Sequence, residues 1–275
     1  MKANVACIGS LGFAPLVVYA LGFSLAVVPG AFAQSGATTV HYQEDVSPSG
    51  SYQHVGSEIR EVNPTGNGGG GGLIRTGGDN KLRTVFAFDL PGITSDMIFT
   101  SVSLRLHENS LGTPGGTSVP VEIHQLTNTT PMIEGNGDFL GSSSDPFGVT
   151  WNRIQNNGGS DVPWANPGGD FSATVLSSAT VTNDEQVFYS FGSSAAFVAA
   201  VQAALTNPNG LQLLLYAPTT ENFFGNFVRW DSDDASEPTL RPRLEVSYVP
   251  EPSAAVLLGL GGLVLLRRSV RKGSW

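Results

Sequence analysis

Between residues 34 and 249, no run of strand-forming side chains goes far before a turn cluster interrupts it. Short β-branched or aromatic runs alternate with groups of Gly, Ser, Thr, Asn and Pro. Charged residues are sparse and helix formers few. That spacing is the pattern of an all-β sandwich. Thr84–Leu90 reads as a strand. Ser101–His107 alternates polar and apolar, with Val102, Leu104 and Leu106 on one face. Val119–Leu126 alternates likewise, with Val121, Ile123 and Gln125 or its neighbour inward. Gln186–Phe191, Leu211–Tyr216, Phe227–Trp230 and Arg243–Tyr248 complete the set. One segment breaks the pattern: Ser193-Ser194 can cap a helix from Ala195 to Leu205. Phe197, Val198, Val201 and Leu205 share one face of it, and Asn207-Pro208-Asn209-Gly210 stops it. This short amphipathic helix is expected to cover one end of the sandwich. The five glycines Gly68–Gly72 read as a mobile loop, since each loses much backbone entropy on ordering. They lack the strand-loop-helix context and the following Lys-Ser/Thr of a phosphate cradle.

Both ends depart from the β pattern. Met1-Lys2 is a short positive start, and an apolar stretch runs from Leu11 to Val28. Pro29-Gly30 breaks it. Ala31-Phe32-Ala33 then offers small residues at the two positions a signal peptidase reads, so cleavage is expected after Ala33. The stretch is also long enough for a membrane anchor, but the small-residue exit favours a removed signal. Cys7, the single cysteine, precedes the apolar run, whereas a lipid-attachment cysteine follows one. The region after residue 33 therefore has neither disulfide nor thiolate chemistry.

Residues 34–249 hold 216 positions, enough for one β-rich domain. They carry 9 Lys+Arg and 22 Asp+Glu, or 9 − 22 = −13. Such a charge repels nucleic acid and anionic lipid. It suits divalent cations and neutral polysaccharide, and equally a soluble acidic surface.

The C-terminal segment, 250–275, reads as an address. Pro250-Glu251-Pro252 forbids a helix or strand interior and leaves the peptide extended. Thirteen uncharged residues follow, Ala254–Leu266, then the basic cluster Arg267-Arg268-Ser269-Val270-Arg271-Lys272. The basic cluster is expected on the cytoplasmic side. At a rise of about 1.5 Å the apolar stretch spans only ~20 Å, short of a ~30 Å hydrocarbon core, and Gly259, Gly261 and Gly262 weaken the helix. It suits transient retention. The segment resembles the PEP-CTERM sorting signal in content, order and place. That resemblance implies recognition by an exosortase, a membrane protease-transpeptidase of Gram-negative bacteria that make exopolysaccharide. It also implies processing near Pro250–Pro252, with release to the cell surface or matrix.

Several stretches of the domain carry a second resemblance. They are Asn63-Pro64-Thr65-Gly66-Asn67-Gly68-Gly69, Asp79–Pro91 with its Arg-rich lead into Phe88-Asp89-Leu90, Ser101–His107, Gly148-Val149-Thr150-Trp151-Asn152, and Pro242–Tyr248. In this order they resemble the DNRLRE-type domain, similar to jelly-roll carbohydrate-binding modules of surface proteins. The resemblance implies a jelly-roll-like β-sandwich over residues ~40–248. The chain departs from it at the polyglycine insertion and from Gly135 to Asp170, so ligand identity does not carry over. On physical grounds Trp151 reads as core, Asp89 as a strand end bonding turn amides, and Arg243 as a partner for a carboxylate such as Asp89.

Candidate sites follow from residue chemistry. Trp230-Asp231-Ser232-Asp233-Asp234 is the densest acidic cluster. Asp231, Asp233 and Asp234 offer hard oxygen ligands for a structural Ca²⁺, though a solvated acidic loop is the commoner reading of such a cluster. Glu44-Asp45 is a weaker pair. Tyr52, Trp164, Phe223, Phe224 and Trp230 sit near Gly- or Asn-rich loops. Tyr52, Trp164, Phe224 and Trp230 are the expected platforms for stacking on sugar C–H groups, against the alternative of loop anchoring. His54, His107 and His124 can meet only through the fold. No nucleophile elbow, His-Glu-x-x-His or cysteine nucleophile is present, so no catalytic residue is assigned. The expectation is an exported, non-catalytic surface or matrix protein that binds polysaccharide. Its partners are a signal peptidase, an exosortase and exopolysaccharide, and not nucleic acid. A purely structural or adhesive protein and a polysaccharide-degrading enzyme are the alternatives.

Overall fold

A computed structural model of the chain describes residues 36–112, 118–139, 147–182 and 186–250. The expected signal peptide, and the sorting segment from Glu251 onward with Pro252, Arg267 and Arg268, lie outside the described residues. Pro250 is exposed and follows the last strand directly.

The described residues form an all-β fold with one short helix. The strands are β1 (Thr38–Gln43), β2 (Val55–Arg60), β3 (Leu73–Gly77), β4 (Leu82–Phe88), β5 (Ile98–Gly112), β6 (Val119–Leu126), β7 (Arg153–Gln155), β8 (Val162–Pro163), β9 (Phe171–Val181), β10 (Phe188–Phe191), β11 (Leu211–Tyr216), β12 (Phe227–Asp231) and β13 (Arg243–Val249). The helix α1 (Ala195–Ala204) lies between β10 and β11. A curled sheet runs β1-β13-β5-β12-β3-β4-β11-β6-β9, with β10 added to β5 and β2 to β4. Every pairing is antiparallel. The long strand β5 carries the curl: Ile98–Arg105 pairs with β13, and Glu108–Gly112 with β12.

The main core takes one face of nearly every strand. Val102, Leu104 and Leu106 are fully buried there, as their spacing predicts. In β6 the inward set is Val119, Val121 and Ile123; Gln125, opposite Leu213, is half-buried, and Leu126 packs into the cluster on the other face. Strands β4 and β11 are buried on both faces. Phe86, Phe88, Leu213 and Leu215 enter the main core, while Val85 and Leu214 enter a second cluster. That cluster comes from the chain between β6 and β9: Met132, Val149, Trp151, Ile154 and Trp164 cover the outer face of the sheet. This explains why Leu213-Leu214-Leu215 is a continuous apolar run rather than an alternating one. Trp151 is core, as expected. Arg243 pairs with Glu245 (2.6 Å), its neighbour two positions on along the same strand face, and not with Asp89.

The helix packs Phe197, Ala200, Val201 and Ala204 into the main core. Its cap is Ser194, whose Oγ accepts the Phe197 N–H (3.0 Å) and donates to the Leu176 carbonyl (2.5 Å). Ser194→Ala removes both bonds. We expect a loss of about 1–2 kcal/mol in urea unfolding, while Ser193→Ala, which leaves the cap intact, costs less.

The glycine run is not a free loop. Gly68 and Gly69 are buried, and a Cβ on Gly69 would lie 2.3 Å from the Glu134 carbonyl oxygen. The Gly70 N–H donates to the Gly137 carbonyl (3.0 Å). Glycine is needed because two backbones touch, and that contact supplies the ordering that the sequence reading missed.

Candidate functional site

Four ionisable side chains from distant parts of the chain meet at one end of the sheet. Glu44 follows β1, His54 precedes β2, Glu134 comes from the segment after β6, and Asp233 follows β12. Ligand atoms of Glu44, His54 and Asp233 all lie within 4.8 Å of one another. His54 Nδ1 is 3.6 Å from Glu44 Oε2, and Nε2 is 3.9 Å from Asp233 Oδ2. The His54 side chain has no exposure, Asp233 is 1 % exposed and Glu44 8 %. Neither ring nitrogen and neither Asp233 oxygen has a hydrogen-bond donor or acceptor in reach that completes a bond.

The backbone explains how they converge. The His54 ring stacks on Phe88, with centroids 4.6 Å apart and planes at 12°, and on Tyr52 at 6.3 Å. The ring therefore points its two nitrogens at Glu44 and Asp233. Gly56 lets the Asp233 carboxylate come close: a Cβ there would lie 2.5 Å from Oδ2. Backbone N–H groups hold two of the carboxylates. His54 N–H donates to Glu44 Oε2 (3.4 Å), and Gly56 N–H to Glu134 Oε1 (3.3 Å).

The electrostatics are those of charges removed from water. Burial pushes the Glu44 carboxyl up to about 7, and neighbouring Asp45 and Asp234 add to that. Burial pulls His54 down to about 3, so its imidazole is neutral. Burial raises the Glu134 carboxyl to about 7 and lifts Asp233 well above the usual carboxylate range, and the Glu44 and Asp234 carboxylates add to both shifts. A cation or protons must neutralise this group of three carboxyls.

The expected acidic trio is not assembled as such. Successive side chains leave the strand end on different sides. Asp231 turns to His107 Nδ1 (2.6 Å) and Asn109 (3.3 Å), Asp234 is exposed, and Asp233 alone enters the cluster. Of the weaker pair, Glu44 enters, while Asp45 pairs with Arg241 (2.7 Å). His54 and Glu134 had no local signal in the sequence, because only tertiary contact brings them to the site.

The expected sugar platforms also divide. Trp230 is fully buried, with its indole N–H directed at Thr76 Oγ1 (3.3 Å). Trp164 (4 % exposed) donates to the Thr150 carbonyl (2.9 Å), and Tyr52 (7 %) to the Asp89 carbonyl (2.8 Å). These three pack as core and show no free ring face. Phe224, at 81 % exposure in the turn between β11 and β12, does.

A shallow depression of about 540 Å³ lies elsewhere, at the β6–β9 end of the sheet. Thr127, Asn128, Asn166, Asp170 and half-buried Phe171 line it. Asp170 is committed to its own loop, accepting from Ala165 N–H (2.7 Å), Asn166 N–H (2.8 Å) and Asn166 Nδ2 (2.9 Å). The Thr127 hydroxyl donates to the Asp170 carbonyl (3.2 Å) and the Asn128 amide to the Thr130 carbonyl (2.8 Å), which leaves the hydroxyl's lone pairs and the Asn166 carboxamide oxygen beside the aromatic ring. Against known proteins, no family model matches this chain, and no curated protein matches it. Among the described residues no helix is long and apolar enough to cross a membrane.

Proposed function

We propose that this chain is an exported, non-catalytic surface or matrix protein whose domain is a jelly-roll-like β-sandwich that binds neutral polysaccharide. The observation that carries the binding reading is the depression on Phe171. An aromatic ring flanked by Thr127, Asn128 and Asn166, with its one carboxylate already bonded, matches a sugar's apolar face and its uncharged hydroxyls. The sandwich reading is supported by the core, which is shared between β1, β13, β5 and β10 on one hand and β4, β11, β6 and β9 on the other. Export and sorting rest on the two terminal segments. Pro250, the first residue of the Pro250-Glu251-Pro252 motif that an exosortase would read, is exposed and directly follows β13 in the chain.

A glycan array probed with the exported protein tests the binding. Neutral glycans should be retained, and Phe171→Ala should lower affinity at least tenfold while still folding. Retention that is equal in Phe171→Ala but lost in Phe224→Ala moves the site to the β11–β12 turn. No binding to any glycan leaves the structural or adhesive role, and release of reducing ends from exopolysaccharide makes the protein an enzyme. Replacing Pro250-Glu251-Pro252 by alanines should leave unprocessed protein in the membrane, and normal release would refute the sorting role.

A further inference from the structure

We propose that Glu44, His54 and Asp233, with Glu134 beside them, bind one divalent transition-metal ion of the zinc or manganese class. The donor set argues for it. Two buried carboxyls, Glu44 and Asp233, and the half-buried Glu134 lie around a neutral imidazole, and the imidazole's nitrogens and both Asp233 oxygens have no bonding partner. A buried histidine of this kind, ring-clamped by Phe88 and Tyr52 and aimed at two carboxylates, is held as a ligand is held. Calcium takes oxygen ligands, so the nitrogen favours a borderline ion.

The distances agree. Two donors about 2.0–2.2 Å from one ion stand at most about 4.4 Å apart. A single ion takes one nitrogen of the ring, and His54 Nδ1 with Glu44 at 3.6 Å, or Nε2 with Asp233 at 3.9 Å, falls within that limit. The widest spacing in the trio, no more than 4.8 Å, asks for a shift of a few tenths of an ångström. Outer contacts are in place: backbone N–H groups hold Glu44 and Glu134, and Gly56 leaves room for the Asp233 carboxylate. A route in exists as well. A depression of about 340 Å³, bordered by Gln53, Asp89, Asn209 and Gln212, reaches His54 and Glu134. The ion would tie together the ends of β1 and β12, the start of β2 and the loop after β6.

The test uses the full exported chain, stripped with a chelator and then titrated with Zn²⁺, Mn²⁺, Ca²⁺ and Mg²⁺. One equivalent of Zn²⁺ or Mn²⁺ should bind at micromolar or lower Kd and raise the melting temperature by several degrees. Ca²⁺ should bind at least tenfold more weakly. Co²⁺ should give visible absorption bands that His54→Gln lacks. Asp233→Asn removes a buried unpaired carboxyl, so its metal-free form should melt at or above the parent while its response to Zn²⁺ and Mn²⁺ disappears. If that variant does not fold, Glu134→Gln supplies the same comparison. Stabilisation by Ca²⁺ alone, binding unchanged in His54→Gln and Asp233→Asn, or no stoichiometric binding by any ion would each overturn the assignment. In the last case the cluster is neutralised by protons.

Discussion

Asn67→Ala should destabilise the domain by about 4 kcal/mol or more, lowering the melting temperature by roughly 8–16 °C for a domain of this size. The side chain is 1 % exposed and works as a four-way tie. Its Nδ2 donates to the carbonyls of Glu134 (2.6 Å) and Val149 (2.8 Å). Its Oδ1 accepts the N–H groups of Gly69 (3.1 Å) and Gly137 (3.0 Å). Truncation orphans four backbone groups, and a buried unsatisfied group costs about 1–3 kcal/mol. The tie joins the glycine run to the segment that carries Glu134 and to the start of the Val149–Trp151 stretch. Asn67→Asp is the discriminating control. It keeps the shape and the two accepted bonds, but sets a carboxylate against two carbonyl oxygens. It should therefore cost nearly as much as alanine in urea unfolding. If Asn67→Asp behaved as wild type, the donor half of the tie would carry no energy.

Asn67 also shows how much of this molecule the sequence discloses. Strands whose side chains alternate cleanly, or that form a dense apolar run, were legible. Val119–Leu126 and Leu211–Tyr216 begin and end where the pattern puts them, and α1 ends one residue short of its prediction. β2 was not legible, because Gly56, Ser57 and Glu58 are buried through partners elsewhere. Glu58 pairs with Arg75 at 3.1 Å and also with Arg60. β9, Phe171-Ser172-Ala173-Thr174-Val175-Leu176-Ser177-Ser178-Ala179-Thr180-Val181, reads as a Ser/Thr-rich connector until β6 pairs with it. The glycine run was misread for a related reason. A glycine's backbone freedom is visible in sequence, but the close backbone that removes it is not. The buried cluster follows the same logic. Acidic residues near Trp230 drew notice, yet which of them faces inward depends on the turn after β12. His54 and Glu134 arrive from segments 10 and 90 positions beyond Glu44.

The second large effect is expected at Arg83, the second residue of β4. Its Nε and Nη2 meet the Glu221 carboxylate at 2.7 and 3.1 Å, and Nη1 donates to the Gly168 carbonyl (2.8 Å). The guanidinium lies 4.9–5.5 Å from the rings of Tyr216, Trp151 and Phe171. The side chains of Arg83 and Glu221 are 12 % and 5 % exposed, so this is a largely desolvated pair. Removing one partner of such a pair typically costs about 3–5 kcal/mol, because the other charge is left buried. Arg83→Ala should fall in that range. Arg83→Lys keeps the charge but not the two-pronged geometry, and should lose about 2 kcal/mol. Arg83→Met combined with Glu221→Gln removes both charges and should be more stable than Arg83→Ala, with a coupling of about 1–3 kcal/mol in the double-mutant cycle. The effect should also reach the proposed sugar site, since Arg83 anchors Gly168, the neighbour of Gly169 in the wall of that depression, and packs against Phe171, which lines it. Arg83→Lys, still folded, should then bind neutral glycans more weakly than wild type. A stability loss under 1 kcal/mol for Arg83→Ala would mean that water already reaches Glu221, and the pair would rank with ordinary surface contacts.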